Sequence, residues 1–245
     1  MTTLVIDIGN TSASFGYYRN GKVTSIGRCD SRLKKTDDVS FPEGRMVDAV
    51  AVASVVPGVN ARWKKMLKAK GLPSPLFISH HMNLGVSVDY PHPETIGADR
   101  LANAAAAVKL MGAPSVVCDF GTALTFDILE AKRGYIGGII CPGLPLMFDY
   151  LAEKTALLPH VEPSATKAVV GRNTRQAMQI GARLGYRGMV REILTALKAD
   201  FGVTELSVCC TGGYAGWIFK GWDVKAAIDP KLTLRGVGII AELNR

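Results

Sequence analysis

Val116-Val117-Cys118-Asp119-Phe120-Gly121-Thr122-Ala123-Leu124-Thr125-Phe126-Asp127 decides how this chain is read. An apolar strand brings a carboxylate to a tight Gly-Thr turn, and a second strand leaves it. A strand is a rigid place from which to aim an acid, and a glycine beside it lets a phosphate approach backbone that a Cβ would shield. The same phrase opens the chain, as Leu4-Val5-Ile6-Asp7-Ile8-Gly9-Asn10-Thr11. Two copies of strand, Asp, x, Gly and a hydroxyl residue predict two half-sites facing one ligand.

Working outward, each copy predicts the same three-stranded antiparallel unit. In the first, residues 3–8 are followed by an extended stretch from Ala13 to Tyr18, the two-residue hairpin signal Asn20-Gly21, and a return from Val23 to Arg28. In the second, strands at 115–120, 123–129 and 135–140 repeat the plan around Ala131-Lys132-Arg133-Gly134. The halves are therefore expected at 1–112 and 113–245. In the first half, Val47 to Val56 reads as a buried strand, Val59 to Ala69 as a helix ended by Gly71, and Leu76 to Ser79 as a further strand. Residues 30–45, with Lys34-Lys35-Thr36-Asp37-Asp38, read as a surface loop or short helix, and His80 to Pro93 as a loop. In the second half, helices are expected through Leu157, from Thr174 to Lys198, at Ala215–Phe219 and from Leu234 to Leu243, with strands at Leu206–Cys210 and Val224–Ile228.

Composition excludes several classes. A chain of 245 residues with 48% hydrophobic and 20% charged residues can bury a sizeable core and is not a disordered polymer. No apolar run reaches the roughly 20 residues of a membrane span, and Met1-Thr2-Thr3 leads into a strand rather than a signal segment, so no membrane partner is expected. Five cysteines without C-x-x-C spacing predict reduced thiols in a cytoplasmic protein. The four histidines lack metal-site spacing. A net charge of +8 attracts anions, but the bases are scattered without an aromatic-basic module, so no nucleic-acid partner is expected.

A third acid stands in Glu94-Thr95-Ile96-Gly97-Ala98-Asp99-Arg100, just before the strong helix former Leu101–Leu110. Two readings of Asp99 stand together here: a first-turn acid favoured by the helix dipole, or a spare carboxylate with a chemical task. Phosphoryl transfer requires a divalent ion on the phosphates, donors to their oxygens, and a group that orients and deprotonates the acceptor. Asp7 and Asp119 can supply carboxylate to cations. The turns at Gly9-Asn10-Thr11, Gly121-Thr122 and Thr211-Gly212-Gly213 can supply donors, and Arg100 can hold an anionic acceptor. Walker, G-x-G-x-x-G and nucleophile-elbow sequences are absent.

These stretches, with Ser54-Val55-Val56-Pro57, Gly137-Gly138, Pro142-Gly143, Thr155-Ala156-Leu157-Leu158-Pro159 and Gly171-Arg172-Asn173-Thr174, resemble in order the type III pantothenate kinases, of the acetate and sugar kinase, heat-shock ATPase and actin superfamily. The resemblance spans nearly the whole chain. It implies an α/β duplicated ribonuclease-H-like (actin-like ATPase) fold, two halves each with a mixed five-stranded sheet flanked by helices, and ATP-dependent phosphorylation of pantothenate. It implies that Asp7, Ile8, Gly9, Asn10, Thr11, Ser12, Ala13 and Ser14 form the first phosphate loop, with Asp7 towards Mg²⁺, and that Thr122 contacts ATP. Asp119 would bind a monovalent cation, K⁺ or NH₄⁺. Tyr90, Gly97, Ala98, Asp99, Arg100 and Thr174 would line the pantothenate pocket, with Asp99 as proton acceptor and Arg100 near the carboxylate. A homodimer is implied, Thr174 acting across its interface. One departure is that Ser12-Ala13-Ser14 leaves the first loop without a basic side chain. A non-catalytic regulator and a kinase of another small alcohol are the competing readings.

Overall fold

The computed structural model describes residues 1–33, 39, 41, 46–164 and 167–245. The Lys34–Asp38 stretch lies outside the described residues. In chain order the strands are β1 (Thr3–Ile8), β2 (Ser12–Arg19), β3 (Lys22–Asp30), β4 (Ala49–Ser54), β5 (Pro75–Phe77), β6 (Ser115–Phe120), β7 (Ala123–Glu130), β8 (Gly134–Pro142), β9 (Ser207–Thr211) and β10 (Ala227–Ile228). The helices are α1 (Pro57–Ala69), α2 (Ala98–Met111), α3 (Leu144–Lys154), α4 (Thr174–Asp200), α5 (Ala215–Phe219) and α6 (Leu232–Leu243).

The two five-stranded sheets have the orders β3-β2-β1-β4-β5 and, read from the matching edge, β8-β7-β6-β9-β10. Each strand of one sheet thus has a counterpart in the other, which is the duplication that the repeated phrase predicts. In the first sheet β1 runs antiparallel to β2 and parallel to β4, a mixed sheet. Asn20 and Gly21 both take positive φ, 49° and 75°, in the two-residue turn between β2 and β3.

The chain forms two compact units, Met1–Ser115 with Asp127–Gly137 and Lys231–Arg245, and Val116–Phe126 with Gly138–Pro230. In the first, Leu4, Ile6 and Ile8 of β1 pack with Trp63, Met66 and Leu67 of α1. Strand alternation puts Thr3, Val5 and Asp7 on the opposite face. There α6 packs against β1, β2 and α2. That packing is close because α6 carries glycines where it meets its neighbours: a Cβ on Gly236 would lie 1.8 Å from the Ala102 carbonyl oxygen, and one on Gly238 2.2 Å from the Tyr18 ring. Thr233 donates to Asn103 at 2.9 Å, and the Tyr18 hydroxyl donates to Glu242 at 2.8 Å. Burial, then that carboxylate, push the Tyr18 hydroxyl up to about 12.

In the second unit β6 contributes the buried Val116, Val117 and Cys118, α4 contributes Tyr186, Val190 and Leu194, and the Tyr186 hydroxyl donates to the Pro142 carbonyl at 2.5 Å. Most boundaries lie within two residues of the sequence reading, and those of α3 and β10 differ by three. α3 ends at Lys154 rather than Leu157, because Thr155 turns extended and its hydroxyl takes the Leu151 carbonyl that a further helical turn would use. β10 is only Ala227–Ile228, paired to Cys209 and Cys210, with Val224 outside it. Among the described residues no helix is long and apolar enough to cross a membrane.

Gly236→Ala is expected to destabilise the protein by at least about 1–3 kcal/mol, since backbone rather than a flexible side chain blocks the added methyl. Thermal melting should show a fall of several degrees, whereas Gly181→Ala, in α4 with nothing within 4 Å of the added Cβ, should be neutral or stabilising.

Candidate active site

The first turn of interest joins β1 to β2 in the first unit. The Gly9 amide donates to the Ser12 carbonyl at 3.1 Å, closing the turn, and the Ser31 hydroxyl donates to the Gly9 carbonyl. The loop Asp7–Ser14 is therefore a tight, backbone-lined turn at the end of a buried strand. The base that its own sequence lacks arrives from β3: Arg28 Nε donates to the Ser12 hydroxyl at 2.7 Å. The β2–β3 register sets Arg28 opposite Ser14 and so makes it a neighbour of the loop. Sequence reasoning missed Arg28, which only the pairing of the hairpin brings there.

Tyr90 and Gly97 to Arg100, expected at an acceptor pocket, also belong to the first unit. The segment before α2, read as a loop, is pinned to the start of β8: Tyr135 N donates to the Ser87 carbonyl at 2.8 Å and Asp89 N to the Tyr135 carbonyl at 2.9 Å. The Asp89–Arg133 ion pair fastens the same segment at the surface. Tyr90 then lies edge-on to Tyr135, ring centroids 6.2 Å apart, beside Gly137 at φ 135°.

Gly97 is the N-cap of α2, so Ala98, Asp99 and Arg100 form its first turn. A Cβ at position 97 would lie 2.5 Å from Asp99 Oδ1 and 3.2 Å from Val55 Cγ1, so only glycine lets the carboxylate fold back over the helix start. Asp99 Oδ1 accepts the Arg100 amide at 2.8 Å. Burial pushes the Asp99 carboxyl above the usual carboxylate range, with that amide and the Arg100 charge opposing it.

Arg100 itself turns to Asp127: Nε donates to Oδ1 at 2.6 Å, with the Asp127 side chain 0% and the Arg100 side chain 16% exposed. Its guanidinium carbon lies 5.8 Å from the Tyr135 ring centroid. Burial alone would push the guanidinium down, but Asp127, with Tyr135 and Asp99 adding to it, makes the net direction up. The Tyr135 hydroxyl is pushed up, by burial and then by Asp127. The structure thus gathers Tyr90, Gly97, Ala98, Asp99 and Arg100, and adds Asp127 and Tyr135, which the sequence reading assigned no role.

Asp119, Thr122 and Thr174 belong to the second unit. The β6–β7 turn closes as its counterpart does, with the Gly121 amide donating to the Ala123 carbonyl at 3.1 Å. Two other glycine turns rest on it. A Cβ on Gly212, which has φ 86°, would meet Phe120 backbone at 2.5 Å and Asp119 Oδ1 at 2.6 Å, and one on Gly143 would meet the Thr122 carbonyl at 1.9 Å. The Asp119 carboxylate thus lies beside the Gly121 and Gly212 turns. Among the described residues no group of three or more His, Cys, Asp or Glu side chains gathers to hold an ion. Thr174 begins α4, whose start is capped by Asn173 accepting from Gln176 N at 2.9 Å.

Twice-repeated strand order, with an acid–glycine–hydroxyl turn at the head of each sheet, defines a duplicated ribonuclease-H-like fold of the actin-like ATPase class. Solved structures share it. The activator of the 2-hydroxyisocaproyl-CoA dehydratase from Clostridium difficile, with bound ADPNP, aligns at a TM-score of 0.52 and 12% identity over 99% of this chain and 94% of that one. A candidate Baf family transcriptional activator from Campylobacter jejuni aligns at 0.58 and 20% identity over 98% of both. The sequence model described as type III pantothenate kinase matches residues 3–196. A type III pantothenate kinase of Akkermansia muciniphila is 47% identical over 255 residues, covering 100% of each chain, and one of Methylacidiphilum infernorum is 36% identical over 98% of this chain and 88% of the other. The chain belongs to the type III pantothenate kinase family.

The raised Asp99 carboxyl has a consequence for stability. Its pKa in the folded chain lies above that of the unfolded chain, so between the two the native state binds more protons and stability falls as pH rises through that window. Asp99→Asn is therefore expected to melt above the wild type at neutral pH, the two melting temperatures converging below about pH 4, where the unfolded carboxyl is protonated as well.

Proposed function

We propose that the chain transfers the terminal phosphoryl group of ATP to the primary hydroxyl of pantothenate, giving 4'-phosphopantothenate in the first step of coenzyme A biosynthesis, with Asp99 as general base. The observation that carries this reading is the Asp99 carboxylate in the first turn of α2, raised by burial and held beside Arg100. A carboxylate with a raised pKa is a better proton acceptor, and its neighbour supplies the positive charge that an acceptor ending in a carboxylate needs. Tyr90, Gly97 and Ala98 contribute the wall and floor of the acceptor pocket.

Asp7 to Ser14 bind the phosphates through backbone amides and hydroxyls, Arg28 adding the positive charge absent from the loop itself. Thr122 contacts the nucleotide. Asp7 would hold Mg²⁺, which draws charge from the phosphates, and a single carboxylate suits an ion that keeps most of its waters. Asp119 would hold K⁺ or NH₄⁺ with neighbouring backbone carbonyls, balancing phosphate charge.

The active species in this reading is a cytoplasmic homodimer with Thr174 reaching the partner's acceptor pocket. Large apolar side chains left exposed in the second unit, among them Leu146 and Tyr150 one helical turn apart on α3, support a second copy as their cover. None of the five cysteines is in a disulfide, in keeping with that compartment.

Release of ADP from ATP and Mg²⁺ should depend on pantothenate and rise when K⁺ replaces Na⁺. Asp99→Asn should keep ATP binding while losing turnover by about 10²–10⁴-fold, the usual contribution of a positioned base. Near-normal turnover of this variant would remove Asp99 from the role.

A further inference from the structure

We propose that Asp127 is a positioning residue that makes Arg100 a receptor for the acceptor's carboxylate. The proposal rests on the reading of Arg100 given above and deepens it. Asp127 sits on β7, fully buried, and takes the Nε–H of Arg100 at 2.6 Å. The guanidinium is a planar fork of five donors, and anchoring it at Nε sets the plane and direction of the rest. Tyr135 bounds the same group, 5.8 Å from its centroid to the guanidinium carbon, and Tyr135 is also the residue to which the Ser87–Asp89 segment is hydrogen-bonded. Tyr90 follows that segment and packs edge-on against the same ring. One aromatic side chain therefore bounds both the cation and the tyrosine of the acceptor pocket, and one buried carboxylate sets the cation's orientation.

A buried ion pair is weak evidence for stability, because desolvating both charges opposes their attraction. What the pair contributes here is direction. An arginine without this anchor would sample several rotamers and would have to be ordered by the substrate, at the expense of affinity. Asp127 removes that ordering from the binding step. The effect should be confined to acceptors that present an anion, since a neutral acceptor makes no demand on the guanidinium's direction.

The test compares pantothenate with its analogue carrying an alcohol in place of the carboxylate, in the wild type and in Asp127→Asn, by steady-state ADP release from the full-length protein. The asparagine keeps an oxygen to accept the Nε–H but removes the charge. For pantothenate, the variant is expected to raise KM by about tenfold or more with kcat and the KM for ATP within about threefold, the pattern of lost ground-state binding. For the alcohol analogue, wild type and variant should agree within about threefold. Equal losses on both acceptors, or no loss on pantothenate, would overturn the proposal. Should the asparagine variant fail to fold, Asp127→Ser, smaller and neutral, carries the same expectation and the same overturning results. A wild type that turns over neither acceptor would overturn the parent reading and this proposal with it, whereas a wild type active on pantothenate with an unselective variant overturns this proposal alone.

Discussion

The contact between Arg100 and Asp127 sets the direction of the guanidinium at the start of α2. Asp127 is wholly buried on β7, and a carboxylate there needs a partner. The partner comes from the first turn of α2, so the start of that helix is tied to the β7–β8 hairpin through two charged groups rather than through apolar packing alone. Apolar contacts tolerate sliding, while a charged hydrogen bond at 2.6 Å does not. Asp99, one residue before Arg100, is held separately, its Oδ1 accepting the Arg100 amide. The glycine at 97 completes it by leaving the carboxylate room to fold back towards the Arg100 amide.

Around this contact the first unit is assembled from distant pieces of chain. Residues 127–137 and 231–245 join residues 1–115. The last helix is bound to the first sheet by Gly236 against Ala102, Gly238 against Tyr18, and the polar contacts of Thr233 and Glu242. The sheet that carries the Asp7 turn therefore has its second face completed by the end of the chain. Since α2 packs on that same helix, loss of α6 would be felt at Asp99, in the first turn of α2.

Much of this was legible in the sequence. The repeated Asp-x-Gly phrase foretells two sheets of one plan, Asn20-Gly21 foretells the hairpin that the positive φ angles display, and Gly97 to Arg100 foretells a helix start. These signals are local: turn chemistry, period and capping act within a few residues. The partner of Arg100 was not legible, although Asp127 ends the very stretch that decides the fold, because the pairing joins residues 27 apart across different elements. Arg28 was missed for the same reason, its neighbour Ser12 being set by strand register and not by adjacency. The His80–Pro93 segment reads as irregular because its ordering comes from Tyr135, which propensity does not see. The overlong reading of α3 is of another kind: Thr155 competes with the helix for the Leu151 carbonyl, a choice that propensity leaves open.

The different surroundings of the two carboxylates explain why an arginine can stand next to Asp99 without holding its carboxyl low. A guanidinium paired directly with Asp99 would hold that carboxyl low and weaken it as a proton acceptor. Adjacent residues on a helix do not face one another, so Arg100 points away from its neighbour and finds Asp127 instead. The charge of Asp127 balances that of Arg100, and although Arg100 still draws Asp99 downward, burial dominates and the net direction is up. Two acids thus have different surroundings: Asp127 is paired with the Arg100 side chain, while Asp99 is desolvated and accepts the Arg100 backbone amide. Exchanging those surroundings while keeping the same residue types would draw the Asp99 carboxyl down instead of up.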